Sequence, residues 1–245
     1  MVEVGSDTTA IALAAAIDAK YCYICSDVEG VYTTDPKRVN NAKKLDNLSY
    51  DEMLDISNEG ARVLHNRCIE IAEKFNIPII TKSTFNTNKG SIISNTIEDN
   101  SIKSIVKNDS LSSIILQAND SQKDNLLYTV YEILIKNNIF PIQYIDKDMN
   151  KIEFIINNSM LNIFNKLIEK EFKNYIISSS NISRISIIGY GLTNDNIRFQ
   201  KILDTLKGLK LNIKNIDISN TKLGITFDKK IDDSVLNILH EILFE

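Results

Sequence analysis

Between residues 112 and 177 the apolar pattern runs strand, helix, strand, strand, helix, strand, and the order then starts again. The first pass takes residues 112–118, 125–136, 142–145, 152–156, 161–172 and 175–177, with a polar turn at 146–150. The second takes 185–188, 197–207, 213–218, 223–227 and 235–244. Each pass alternates the two-residue period of a half-buried strand with the 3.6-residue period of an amphipathic helix. An internal repeat of this order is a ferredoxin-like α+β unit used twice. The second copy ends on its helix and is one strand short. Residues 102–106, apolar and just ahead of the first copy, are the expected donor, which would insert the first unit within the second.

The residues ahead of the repeat read differently. Gly5-Ser6-Asp7-Thr8-Thr9-Ala10 stands immediately before an alanine-rich helical run at 11–17. Ser6, Asp7 and Thr8 are good N-cap residues, so the helix is expected to begin among them. Its first backbone N–H groups would point outward with the positive end of the peptide dipoles behind them, a place suited to a phosphate or carboxylate. Those six residues alone also fit a merely well-capped helix. A buried strand at 21–25 follows, then a loop from Ser26 to Arg38 rich in hydroxyls and charges. Helix followed by buried strand indicates an α/β sheet with parallel strands, in which ligands bind beyond the carboxyl ends. The loop would suit an adenine, ribose and polyphosphate, or it is a solvated turn; its Asp35-Pro36 step marks a turn in either case.

Farther on, Ser49-Tyr50-Asp51-Glu52 matches a capping box. Gly60 breaks the chain, and residues 61–75 read as a second helix with Val63, Leu64, Cys68, Ile71, Ala72 and Phe75 on one face. Arg62 falls in its first turn, off that face and able to reach an anion. Pro78 introduces a strand at 79–82, residues 86–90 form a turn, and 94–101 is the candidate linker.

Composition narrows the chemistry. The formal net charge is −4 and no long basic run occurs, which argues against nucleic-acid binding. No apolar run approaches the roughly 20 residues that cross a bilayer, and no signal-peptide pattern opens the chain, so no membrane partner and a cytoplasmic location are expected. Cys22 and Cys25 have a C-x-x-C spacing, but on a strand their thiols face opposite ways. With Cys68 they read as core cysteines in a reducing compartment. His65 and His240 are isolated, so no metal-ligand set is expected.

Three strings now stand together in order: Gly5-Ser6-Asp7-Thr8-Thr9-Ala10, then Asp27-Val28-Glu29-Gly30-Val31-Tyr32-Thr33-Thr34-Asp35-Pro36, then Gly60-Ala61-Arg62-Val63-Leu64-His65. In this the chain resembles the aspartokinases. The second string is the specific one, and the likeness extends through the downstream repeat. The resemblance implies an α/β fold with a partial amino-acid-kinase-type parallel sheet domain over residues 1–97. Over 98–245 it implies two ferredoxin-like (ACT) α+β modules, about 108–180 and about 181–245, the latter with a strand from 102–106.

The activity it implies is phosphoryl transfer from ATP, with Mg2+, to the side-chain carboxylate of L-aspartate, the first step of lysine, threonine and methionine biosynthesis. Carried over by position, Gly5 and Ser6 would contact substrate, and Asp7 would act catalytically by orienting the basic groups around the moving phosphoryl. Ser26, Asp27, Tyr32, Lys37, Arg62 and Val63 would contact nucleotide. An amino-acid effector at the ACT modules, and a homodimer or higher oligomer through them, are implied as well.

The departures carry weight. The family's phosphate-gripping Lys-Phe-Gly-Gly-Thr-Ser loop has no counterpart in these 245 residues, so the chain is expected to need complementation for activity. The strand at 139–145 carries no acid before Asp146, which disfavours lysine or threonine at that spot. The other reading is a non-catalytic, amino-acid-sensing subunit of an aspartokinase.

Overall fold

The computed structural model describes residues 5–61, 63–95, 101–118, 126–148, 150–173, 175–190 and 196–244. Two sheets organise them. The first has four strands in the order β1-β3-β4-β2: β1 (Cys22–Ser26), β2 (Asn47–Ser49), β3 (Ile79–Ser83) and β4 (Ser91–Ser94). It is mixed. β1 pairs parallel with β3 and β2 with β4, whereas β3 and β4 run antiparallel because the short turn after β3 leads directly into β4. β2 and β4 are too short to give a periodic signal in sequence.

Three helices cover this sheet: α1 (Ser6–Ala16), α2 (Tyr50–Asn58) and α3 (Asn66–Lys74). Ile11, Met53, Ile56, Cys68 and Ile69 are buried with Ile79 and Ile93 of the sheet in one core. α2 opens with the expected capping box: Ser49 accepts from the Glu52 N–H, and the Glu52 carboxylate accepts from the Ser49 N–H at 2.9 Å. α1 differs from expectation. Its cap is Gly5, with no side-chain hydrogen bond, and the Ser6 hydroxyl donates instead to Asp7 Oδ1 at 3.3 Å. α3 begins five residues later than its apolar face implied, because His65 takes the N-cap and accepts from the Arg67 N–H. Residues 61 and 63–65 are consequently not helical.

The second sheet has six strands in the order β6-β7-β5-β8-β10-β9. β5 (Ser104–Ala118) and β8 (Tyr175–Ile188) are long central strands; β6 (Gln143–Asp148), β7 (Lys151–Asn157), β9 (Ile213–Ile218) and β10 (Lys222–Phe227) flank them. The separate strands expected at 102–106 and 112–118 are one strand, as are those expected at 175–177 and 185–188. A register shift between Asn108 and Leu111 lets β5 bend without ending. One half of β5 pairs with Arg184–Ile188, the other with Tyr175–Ile182. Each ferredoxin-like half therefore borrows part of the same two strands.

Helices α4 (Leu126–Lys136) and α5 (Leu161–Glu171) cover the half containing β7, around Leu134, Phe154, Phe164 and Phe172. Helices α6 (Asn196–Gly208) and α7 (Asp233–Phe244) cover the half containing β10, around Leu206, Phe227 and Leu236. The uncovered faces turn toward each other. Gln143 on β6 donates to Asp217 on β9 at 3.0 Å, although these strands lie at opposite ends of the sheet. Five strand spacings in a flat sheet would separate them by about 24 Å. The sheet is thus folded over at the bend, and a polar seam, including the buried Lys214–Glu153 ion pair, lies between its halves.

The cysteine expectation needs correction. Only Cys68 is in the core; Cys22 is half-buried and Cys25 exposed, because β1 is an edge strand. The expected linker at 94–101 falls largely on residues 96–100, outside the described residues, as do residue 125 and part of the turn at 146–150.

Candidate functional site

Residues 59–61 and 63–66 are built to stay in place. α2 ends in a Schellman turn: Ala61 N–H donates to Ile56 O and Gly60 N–H to Ser57 O, both at 3.1 Å. Gly60 takes a φ of +114°, which a side chain would strain, and a Cβ there would come within 2.8 Å of Asn108 Nδ2. Ser57 Oγ then donates to Leu64 O at 2.7 Å, and the Asn66 amide donates to Asn58 Oδ1. The turn is thereby closed on itself ahead of α3.

This segment and the start of α1 enclose a polar cavity of about 460 Å³. Asp7 forms one side, and Gly60, Ala61, Val63, Leu64, His65 and Asn66 another. Asn108, Ser110 and Asn157 close it from the six-stranded sheet. The Asp7 charge is felt in the first turn of α3. Burial pushes the Cys68 thiol up to about 12, and the nearby Asp7 carboxylate adds to the effect. Two helix beginnings thus border one cavity that also holds a carboxylate, and the positive ends of helices favour an anionic ligand group there.

The expected site residues divide. Asp7 and Val63 line the cavity, and Gly5 and Ser6 directly precede Asp7 on the same helix start. Ser26, Asp27, Tyr32 and Lys37 are not among its lining residues. Arg62 lies outside the described residues.

The loop after β1 makes its own cluster. Ser26 Oγ accepts from the Val28 N–H at 3.3 Å, and Asp27 is exposed just beyond the carboxyl end of β1. Glu29 joins Tyr32 to Asn86: the Tyr32 hydroxyl donates to Oε2 at 3.3 Å and the Asn86 amide to Oε1 at 2.7 Å. Burial raises the Tyr32 phenol above its ordinary value, and Glu29 reinforces this. The expected turn at Asp35-Pro36 forms, with Asp35 Oδ1 accepting from the Lys37 N–H at 2.9 Å, and Lys37 itself is exposed.

The same loop is bolted to the second sheet. Thr33 O accepts from the Ile105 N–H at 2.7 Å, Thr33 Oγ1 pairs with His240 Nε2 at 2.9 Å, and Arg38 meets Asp109 at 3.1 Å. Asp109 is held below the usual carboxylate range: burial raises it, but Ser183, Lys107 and Arg38 outweigh burial. Asn108, Asp109 and Ser110 at the β5 bend therefore touch both parts of the candidate site. Sequence could not have found them, because a bend in a strand distant from residues 5–66 brings them there. His65 and Asn66 were within reach, since His65 ends the third string and Asn66 adjoins it.

Among the described residues, no three His, Cys, Asp or Glu side chains gather as a metal cage, and no helix is long and apolar enough to cross a membrane.

Comparison with known proteins bears on this geometry. The model of the amino acid kinase family matches residues 2–83. Aspartokinase 2 of Bacillus subtilis is 32% identical over 248 residues, covering 97% of this chain and 60% of that protein. The aspartokinase of Rickettsia felis is likewise 32% identical, over 96% of this chain and 60% of its own length. The chain thus spans about three-fifths of the relatives it matches. Among solved structures, Escherichia coli aspartokinase III in complex with aspartate and ADP superposes with a TM-score of 0.85 at 23% identity, over 99% of this chain and 56% of that one. That likeness is one of fold.

Proposed function

We propose that this chain, similar over nearly its whole length to aspartokinases, carries the nucleotide-side half of an aspartate kinase site joined to its regulatory region. The reaction is phosphoryl transfer from Mg-ATP to the side-chain carboxylate of L-aspartate, in lysine, threonine and methionine biosynthesis. The observation that carries the reading is the meeting of the α1 start with residues 60, 61 and 63–66 around one polar cavity.

In this reading Gly5 and Ser6 contact aspartate, and Asp7 orients the cationic groups that surround the transferring phosphoryl. Ser26, Asp27, Tyr32 and Lys37 contact the nucleotide from the loop after β1, and Arg62 and Val63 from the segment before α3. Magnesium arrives with the nucleotide and neutralises phosphate charge. Residues 1–97 act as the kinase portion and 98–245 as tandem ACT modules. These take an amino-acid effector and pair subunits into a homodimer or larger assembly, in the cytoplasm.

Phosphoryl transfer depends on positioning and charge neutralisation, so a site that lacks one cationic wall loses several kcal/mol of barrier lowering. Turnover is therefore expected to depend on cationic groups that surround the transferring phosphoryl. The test is a coupled ADP-release assay with aspartate, alongside calorimetric titration of Mg-ATP. Asp27→Ala and Arg62→Ala are each expected to weaken Mg-ATP binding by about tenfold or more, as loss of a charged contact does. Unchanged affinity in both variants would overturn the nucleotide assignments. An amino acid that binds while no ADP is released would favour the sensing-subunit reading.

A further inference from the structure

The end of α2 is tied to the folded-over sheet by a chain of buried charges. Glu59 caps α2 at its carboxyl end, immediately before Gly60, and is 4% exposed. Its carboxylate accepts from Arg184 Nε at 2.8 Å, from Ser186 Oγ at 2.6 Å and from Lys222 Nζ at 2.8 Å. Arg184, on β8 and 2% exposed, turns its other edge away from the site. There its Nη1 and Nη2 grip the two oxygens of Asp217 at 2.6 and 2.8 Å, and Nη1 also meets Thr226 Oγ1 at 3.1 Å. Asp217 in turn accepts from Gln143 of β6, across the seam between the halves of the sheet.

One guanidinium therefore has two masters. Its rigid, planar donor fork cannot shift toward Asp217 without changing its approach to Glu59. The guanidinium also lies flat on β10, where a Cβ on Gly224 would stand 1.9 Å from Nη2 and 2.4 Å from Cζ. A glycine at that strand position leaves the room it occupies.

We propose that Arg184 is a positioning residue that couples the packing of the two halves of the regulatory sheet to residues 60, 61 and 63–66 of the candidate site. When β6 and β9 move relative to each other, Asp217 moves with them and Arg184 follows. Glu59, the last fixed point before the Schellman turn, follows Arg184, and the cavity wall shifts. The inference rests on reading residues 60, 61 and 63–66 as part of the site, and its readout needs neither nucleotide nor turnover.

The test is amide hydrogen exchange on the 245-residue chain, comparing wild type with Gly224→Ala, Asp217→Asn and Arg184→Lys. Gly224→Ala displaces the guanidinium without altering any residue of the cavity. Arg184→Lys keeps the charge but loses the fork, and serves should the alanine variant fail to fold. Exchange across residues 60–66 is expected to rise by about tenfold in each, with α4 and β7 unchanged. In a Glu59→Gln background the same substitutions are expected to add little, because the coupling has already been cut.

A rise of less than about twofold at residues 60–66 in both Asp217→Asn and Arg184→Lys would overturn the proposal, as would an equal rise throughout the molecule. Loosening at 60–66 in a chain that never binds Mg-ATP would uphold the coupling while refuting the kinase reading.

Discussion

At the scale of single residues, Glu59 sets the acid sensitivity of the fold. Burial alone would raise its pKa from 4.5, but hydrogen bonds and charge from Arg184, with Lys222 and Ser186, outweigh burial and lower it. A carboxylate with a lowered native pKa contributes stability that is complete above its unfolded value and is lost as pH falls through its native value. Urea unfolding from pH 7 downward should therefore show stability falling below about pH 4.5, and more steeply in wild type than in Glu59→Gln. At neutral pH, Glu59→Gln should cost about 3 kcal/mol, since it leaves Arg184 and Lys222 buried with less compensating charge. Equal acid slopes in the two proteins would remove Glu59 from this role. The residue was visible in the sequence only as one more acid near a helix end; its importance comes from partners 125 to 163 positions away.

At the scale of elements, most helices and strands were legible because their apolar periodicity is strong. The strand at Ile213–Ile218 was read to the residue, and the capping box placed the start of α2 correctly. Ser49→Ala should destabilise the protein by about 1 kcal/mol, measured as a shift in denaturation midpoint with unchanged slope. A neutral result would mean that Glu52 and neighbouring packing hold that helix start without the hydroxyl. Boundaries failed where local signals conflict with tertiary ones. The apolar face of α3 extends back to Val63, yet His65 caps the helix, and Leu64 is buried as part of the preceding turn. β5 and β8 were divided in two because polar residues at their bend mimic a loop, whereas pairing between the two strands holds them continuous.

At the scale of the whole molecule, the two sheets are unequal in closure. Among the described residues, the six-stranded sheet is folded over and covered by four helices, but β1 is an edge of the four-stranded sheet. Beside that edge, Leu13 is 61% and Ile17 67% exposed, with Tyr21 and Tyr23 also half-exposed. An unpaired strand edge flanked by apolar side chains templates association. The chain studied by itself should self-associate with rising concentration in sedimentation velocity. Leu13→Lys with Ile17→Lys should shift that onset upward by about tenfold in concentration, as two buried apolar contacts are removed from each association. Identical profiles for the variant and wild type would show that association proceeds through another face.

The sequence by itself determined most of the helices and the longer strands, the twofold repeat, and the three strings that resemble those of aspartokinases. Those properties reside in periodicity and in neighbouring residues, and such information survives in a linear reading. Only the tertiary structure decided that Asp7 shares a cavity with residues 60, 61 and 63–66, and that Asn108 and Ser110 join that cavity from the second sheet. It alone made Arg184 the link between a sheet seam and a helix end. The physical reason is that a bend in two long strands brings distant polar groups together. The low dielectric between them then makes each pairing count, and no spacing along the chain encodes where that bend will point.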